Sequence, residues 1–389
     1  VTGTGLFDQV PRDDDPAKYS EAHFEFLNRA GGTEYEAVRD LIEDWYAEYP
    51  DATGDLRARF RKHDVHQHAA AWWELYVFIL FRRLGYSVTV NPGQGPDFFV
   101  SKGASSTHIE CAVLFKDGSR WNSDSERWAL DCIDAARNPD FLVGVRIASS
   151  GLRLKRSRVI ADVESWLNTL DYELVRNTLT QRGERPSQMF DFGDDNWRVT
   201  LSAIPFSPDN RGEDCGRIGV GPGSGAFPVE SAIEIRKILK DKREQGRAHS
   251  GSLAVAILNW TIFARPSEVE DALFGSHAVS SNGESASIVR AADGFWNPGP
   301  PPRGAGVSAV LFAQRISMSR PFTELPTMWL NPWAHQTLTV QLPLEAHTCD
   351  DSGLVFKPVE ASADTEAIFG SPPDWPWLAR SDPAAFGEH

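Results

Sequence analysis

The chain has 389 residues, 41% hydrophobic and 24% charged, proportions of an ordinary folded protein that argue against wholesale disorder and against a membrane-embedded chain. Its length suits one elaborated domain or two ordinary ones. With 54 acidic residues against 39 lysines and arginines, the formal charge of −15 argues against a surface coated in positive charge and against tight non-specific nucleic-acid binding, while leaving room for a local basic groove.

Cys111, Cys132, Cys215 and Cys349 lie far apart with no CxxC, so neither a disulfide framework nor a cysteine zinc site is expected. No run of signal-peptide type opens the sequence, and no stretch reaches the ~18 apolar residues of a spanning helix. The expected setting is the cytoplasm, away from membranes.

Residues 1–65 read as a helical collar. Ser20 can cap a helix over EAHFEFLNRA, and Thr33 opens a second whose Val38, Leu41, Ile42 and Trp45 form one apolar face before Pro50 stops it. From 66 to 84 the sequence HQHAAAWWELYVFILFRRL sets Trp73, Tyr76, Val77, Leu80, Phe81 and Leu84 on one helical stripe. Leu75 and Ile79 on its outer face imply cover on more than one side, and Glu74 is its only carboxylate.

Three strand-like runs follow, YSVTVN, PDFFVSK and THIECAVLF, then a helix over SDSERWALDCIDAAR and an apolar strand, DFLVGVRIA. Residues 66–148 therefore read as helix, three strands, helix, strand. The remainder, 149–389, continues as an α/β extension: a helix over RVIADVESWLNTLDYELVRNTL, a strand NWRVTLSAIPF, a helix VESAIEIRKILKDKREQ, a strand SLAVAILNW, and later strands GVSAVLFAQ and TMWLNP. Residues 276–306, rich in Gly, Ser and Pro, read as a long ordered loop or a lid. No linker divides the chain, so one extended α/β domain, with the extension continuous with the core sheet, and two domains are equal expectations.

The informative constellation is Glu74 on the buried helix, Asp97 at a strand start and Glu110 inside the next strand. A hairpin turning near Gly103 can place Asp97 and Glu110 side by side, with the preceding helix laying Glu74 against them. Two or three carboxylates in a polar notch suit a hard divalent cation that keeps some of its waters. A carboxylate such as Glu110, flanked by apolar residues in a strand, is costly unless it ligates a metal or pairs with a cation such as Arg146.

With Glu74 on its helix, Pro96-Asp97 in GPDFFV and Glu110 in HIECAVL, residues 66–148 resemble the PD-(D/E)XK, or restriction-endonuclease-like, nuclease superfamily. The whole chain is also similar in layout to a group of actinobacterial proteins. The superfamily resemblance implies a metal-dependent nuclease that cleaves DNA phosphodiester bonds, as in restriction, repair or phage defence. It implies Mg2+ or Mn2+ on Asp97 and Glu110, with Glu74 as third ligand or water-orienting base. DNA is the partner so implied, and a homodimer is compatible with it.

The motif departs from the superfamily at one position. The lysine expected two residues after the second acid is Ala112. Strand alternation puts His108, Glu110, Ala112, Leu114 and Lys116 on one face, making Lys116 the nearest same-face replacement, although four residues span ~13 Å of strand. Arg127, Lys240 and Lys242 are the other sources. Ala112 also supports the alternative of a catalytically silent member of the fold that binds nucleic acid or a protein partner. A third reading makes the carboxylates structural and assigns small-molecule binding to 276–306.

Two basic clusters bear on nucleic acid. Arg236, Lys237, Lys240, Lys242, Arg243 and Arg247 lie along one helix, and Arg153, Lys155, Arg156 and Arg158 form the other. Either is a phosphate-contacting face or a solvated surface. His63, His66 and His68 are a weak zinc pattern that reads as solvent-facing, and the glycine string from Gly219 to Gly225 reads as a loop. No GxSxG or P-loop pattern is present, which argues against a serine hydrolase or a phosphate-loop NTPase.

Overall fold

The computed structural model describes residues 5–91, 93, 95–115, 124–151, 155–182, 186–190, 197–212, 216–219, 231–246, 250–260, 266–281, 286–349, 356–370 and 375. The chain divides into two units, one formed by 1–16, 22–116 and 229–389, the other by 17–21 and 117–228.

The first unit opens with α1 (His23–Arg29), α2 (Thr33–Glu48), α3 (Asp55–Phe60) and α4 (Val65–Arg83), followed by β1 (Ser87–Val90), β2 (Phe98–Lys102) and β3 (Ser105–Leu114). The second unit contributes α5 (Asp124–Asp134), β4 (Phe141–Ser149), α6 (Arg156–Leu167), α7 (Tyr172–Arg182), β5 (Ser187–Phe190) and β6 (Arg198–Pro205). The chain then returns to the first unit with α8 (Ser231–Gly246), β7 (Leu253–Asn259), α9 (Pro266–Phe274), β8 (His277–Ser281), β9 (Ala286–Arg290), β10 (Ala309–Ala313), β11 (Thr327–Leu330), β12 (Ala346–Cys349), β13 (Phe356–Val359) and α10 (Thr365–Phe369).

The mixed α/β character expected from the sequence is what the chain adopts. The first unit is built on an eight-stranded mixed sheet in the order β1-β2-β3-β7-β10-β11-β12-β13. β1, β2 and β3 form an antiparallel meander, and β3 then pairs in parallel with β7, Glu110 opposite Val255. Each face of this sheet has its own core. On one, Ala254, Ala256 and Leu258 pack with Trp72, Trp73, Tyr76, Leu80 and other residues of α4; on the other, Val255 and Ile257 pack with Ile235 and Leu239 of α8. α4 is buried on every side, as its two apolar faces require, and its Trp73 indole donates to the carbonyl of Ala256, 2.9 Å away.

One expected neighbour of β3 is replaced. The helix and strand assigned to the 66–148 core, α5 and β4, belong to the second unit, where β4 pairs antiparallel with β6 in a separate three-stranded sheet. The helix and strand that pack beside β3 are α8 and β7, more than a hundred residues further on. The physical reason lies in the strands. β4 alternates buried and half-open positions, with Gly144 and Arg146 on its open side, which suits a strand covered on one face. β7 is buried at every position, as the centre of a sheet covered on both faces demands.

Smaller differences follow local chemistry. The long helix expected after residue 150 is two helices, α6 and α7, and 276–306 contains the β8–β9 hairpin and a buried Trp296 rather than one continuous loop. Lys116, Arg153, Arg247 and all of the glycine string after Gly219 lie outside the described residues. Among the described residues no helix is long and apolar enough to cross a membrane.

Candidate active site

The three acids converge from three directions. Glu110 shares strand parity with Ala112 and Leu114, which pack in the α8-side core, so its side chain faces α8; that of Cys111 faces α4. Ile235, Leu239 and Lys242 follow one another at i, i+4 and i+7 on α8, so the helix that seals this core with two apolar side chains brings an ammonium to the next turn. There Lys242 Nζ donates to Glu110 Oε1 at 2.6 Å. The cation paired with Glu110 is thus Lys242, not the Arg146 expected on a neighbouring strand.

Asp97 sits just before β2, where the ladder with β3 ends at the Phe98–Ile109 pair. Its Oδ2 accepts the backbone N–H of Cys111 at 2.7 Å, so a carboxylate takes a donor that the shortened strand leaves open. Glu74 reaches the same region from α4. Its Oε1 accepts from the Tyr49 hydroxyl and its Oε2 from the Arg59 guanidinium at 2.6 Å, and Arg59 also holds Asp55 at 2.7 Å. Both partners come from the N-terminal helical segment, which sequence patterning marks only as packing; the one hint was a buried glutamate in need of donors.

The electrostatics tie these groups together. Burial, and then the neighbouring Glu110 charge, push the Asp97 carboxyl up to about 6. Burial also raises Glu110, outweighing the pull of Lys242 and the Asp97 backbone amide, with Glu74 pushing the same way. Glu74 lies above the usual carboxylate range because burial and Asp97 outweigh Arg59 and Tyr49. Burial alone would lower the Lys242 ammonium, but Glu110 and Asp97 more than reverse this and raise it. The buried Cys111 thiol is pushed far up by burial and by all three carboxylates, which keeps it protonated.

The donors are unevenly spent. Glu110 is only 3% exposed at its side chain, yet its Oε2 has no hydrogen-bond partner, and Asp97 binds Cys111 through one of its two oxygens. A buried carboxylate oxygen without a donor is costly, and a hard cation is one species that would satisfy it. A magnesium ion commonly takes one or two carboxylates while keeping several waters, and Asp97 and Glu110 are the two acids here whose oxygens would be the ligands. Glu74 has both oxygens engaged. Among the described residues no group of three or more His, Cys, Asp and Glu side chains is arranged to hold a metal.

Of the sources considered for the missing lysine, Lys242 reaches Glu110, Lys240 is exposed, and Arg127 pairs with Asp124 at 2.7 Å. The histidines differ from expectation in one respect. His68 is fully buried with Nδ1 against the Phe60 carbonyl, and burial together with His23 pushes its pKa down to about 3, so it is a neutral core residue rather than a solvent-facing one. No family model matches the chain, and no curated protein or solved structure matches it.

Proposed function

We propose that the chain is a metal-dependent nuclease-like enzyme of the PD-(D/E)XK type, acting on DNA phosphodiester bonds. The observation that carries this reading is the convergence of Asp97, Glu110 and Glu74 with Lys242 bonded to Glu110 and one Glu110 oxygen open. The order α4, β1, β2, β3, α8, β7 supports it, since helix, three strands, helix, strand is the order on which the resemblance to that superfamily rests.

In this reading Asp97 and Glu110 hold Mg2+ or Mn2+, which when bound polarises the phosphate and lowers the pKa of an attacking water. Lys242, bonded to Glu110, would stand in for the motif lysine that Ala112 replaces, its ammonium stabilising charge that develops on the phosphate oxygens. Arg59 and Tyr49 fix Glu74, whose charge raises the neighbouring Glu110 carboxyl.

A silent nucleic-acid-binding or protein-binding member of the same fold is the second reading, favoured by Ala112 and by the full engagement of Glu74. Incubation of supercoiled plasmid and of single-stranded DNA with the full chain in Mg2+ or Mn2+ separates the two. The enzyme reading expects nicking that disappears, by a thousandfold or more, in Asp97→Asn and Glu110→Gln. Cleavage unchanged in both variants would overturn the site, and no cleavage by the wild type under either metal would favour the silent reading.

A further inference from the structure

One flank of α8 carries the lysine of the carboxylate site; the adjoining flank is basic without a function yet assigned. Arg236, Lys240 and Arg243 follow one another at i, i+4 and i+7, which aligns them on a single face rotated away from Ile235, Leu239 and Lys242. With Arg303, Asp293 and Phe295 they line a cavity of about 150 Å³. At roughly 30 Å³ for each water, that is room for one phosphate-sized anion and part of its hydration.

Four cations face this cavity against one carboxylate, in a chain whose formal charge is −15. Asp293 is itself occupied, accepting from Ser276 N and Oγ, and its contact with Arg236 is a loose 3.6 Å. Lys240 is exposed. Arg243 Nε is buried without a hydrogen-bond partner, an arrangement that costs free energy unless an acceptor arrives. Guanidinium groups match the oxygens of a phosphate through paired N–H donors.

We propose that this cavity binds a phosphate group of a nucleic-acid backbone and so holds the strand beside the carboxylate site. Lys242 and Arg243 are consecutive, so the two sites lie on neighbouring flanks of one helix, itself about 10–12 Å across. Three base steps of duplex, at about 3.4 Å each, cover that distance. The choice of a nucleic-acid backbone over a free anion rests on the nuclease reading; the anion site itself does not.

The test measures binding of a labelled duplex, a single strand of the same length, and inorganic phosphate to the full chain in the absence of divalent metal, over a range of salt. Lys240→Ala combined with Arg243→Ala should weaken DNA binding tenfold or more on any sequence, and should reduce the salt slope by about one for each residue removed. If the double variant misfolds by circular dichroism, Lys240→Glu, at an exposed position, should give the same loss.

Wild-type affinity and salt slope in these variants would overturn the proposal. So would binding of inorganic phosphate without binding of DNA. DNA binding that depends on this pocket in a protein with no cleavage activity would leave the proposal standing while the nuclease reading fell.

Discussion

Glu74 and Glu110 are both buried acids of the same notch, yet one is closed and the other open. Glu74 has a phenol on one oxygen and a guanidinium on the other, so its charge is compensated within the protein. Glu110 shares one oxygen with Lys242 and leaves the second without a donor. A buried charge that is fully paired is a fixture, whereas an open oxygen has capacity for a ligand. The comparison assigns Glu74 to positioning and field, and Glu110 with Asp97 to binding.

The largest effect that tests this contrast is on stability. Glu74→Ala strands Arg59 and the Tyr49 hydroxyl in a largely buried setting and should cost about 3 kcal/mol in urea-induced unfolding, the low end for breaking a buried pair because Asp55 still holds Arg59. Tyr49→Phe should cost about 1 kcal/mol. A Glu74→Ala protein as stable as the wild type would break the contrast, since its closure would then contribute nothing to the fold.

A somewhat smaller effect is expected on cleavage. Lys242→Ala should slow plasmid nicking by ~100-fold, typical of losing one charge-stabilising donor, while metal affinity measured by calorimetry holds or improves once Glu110 has both oxygens free. Lys116→Ala should leave the rate near that of the wild type. Loss at Lys116 with none at Lys242 would return the role of the missing lysine to Lys116 and make Lys242 a purely structural counter-ion.

Much of this notch was legible in the sequence because its local grammar is strong. The α4 stripe, the meander and the acids Glu74, Asp97 and Glu110 all follow from patterning over short distances; Glu74 and Glu110 occupy the elements expected, and Asp97 falls one residue before its strand. Tyr49 and Arg59 did not follow, because they reach Glu74 across 25 and 15 positions of sequence, and Lys242, one of several cations offered for the missing lysine, could not be singled out because it reaches Glu110 across 132. The strand beside β3 was misassigned although a signal existed: DFLVGVRIA interrupts its apolar run with Gly144 and Arg146, while LAVAILN has no polar residue before Asn259. A helix–strand pair close in sequence outweighed that difference, and 117–228 intervenes as a unit of its own before the matching pair appears.

The crowding of acids on the open side also makes stability depend on pH. Asp97 titrates near 6 in the folded chain, through burial and then the Glu110 charge, against an ordinary value of 3.8. A carboxyl whose folded pKa is raised binds its proton more tightly folded than unfolded, so its contribution to stability is fully present below about pH 4 and is lost as pH rises through 6. At about 1.4 kcal/mol per unit the shift amounts to on the order of 2–3 kcal/mol, shared among coupled acids that titrate as a group. Asp97→Asn should therefore be more stable than the wild type at pH 7, with the advantage fading to nothing by pH 4 in parallel urea titrations. Magnesium competes with the same proton, so wild-type metal affinity should fall as pH drops below 6. If the advantage of Asp97→Asn is the same at pH 4 and pH 7, the proton is not held at Asp97. Were Glu74→Gln instead to abolish the pH dependence, the closed acid would be the one that takes the proton, and the roles drawn from the two carboxylates would exchange.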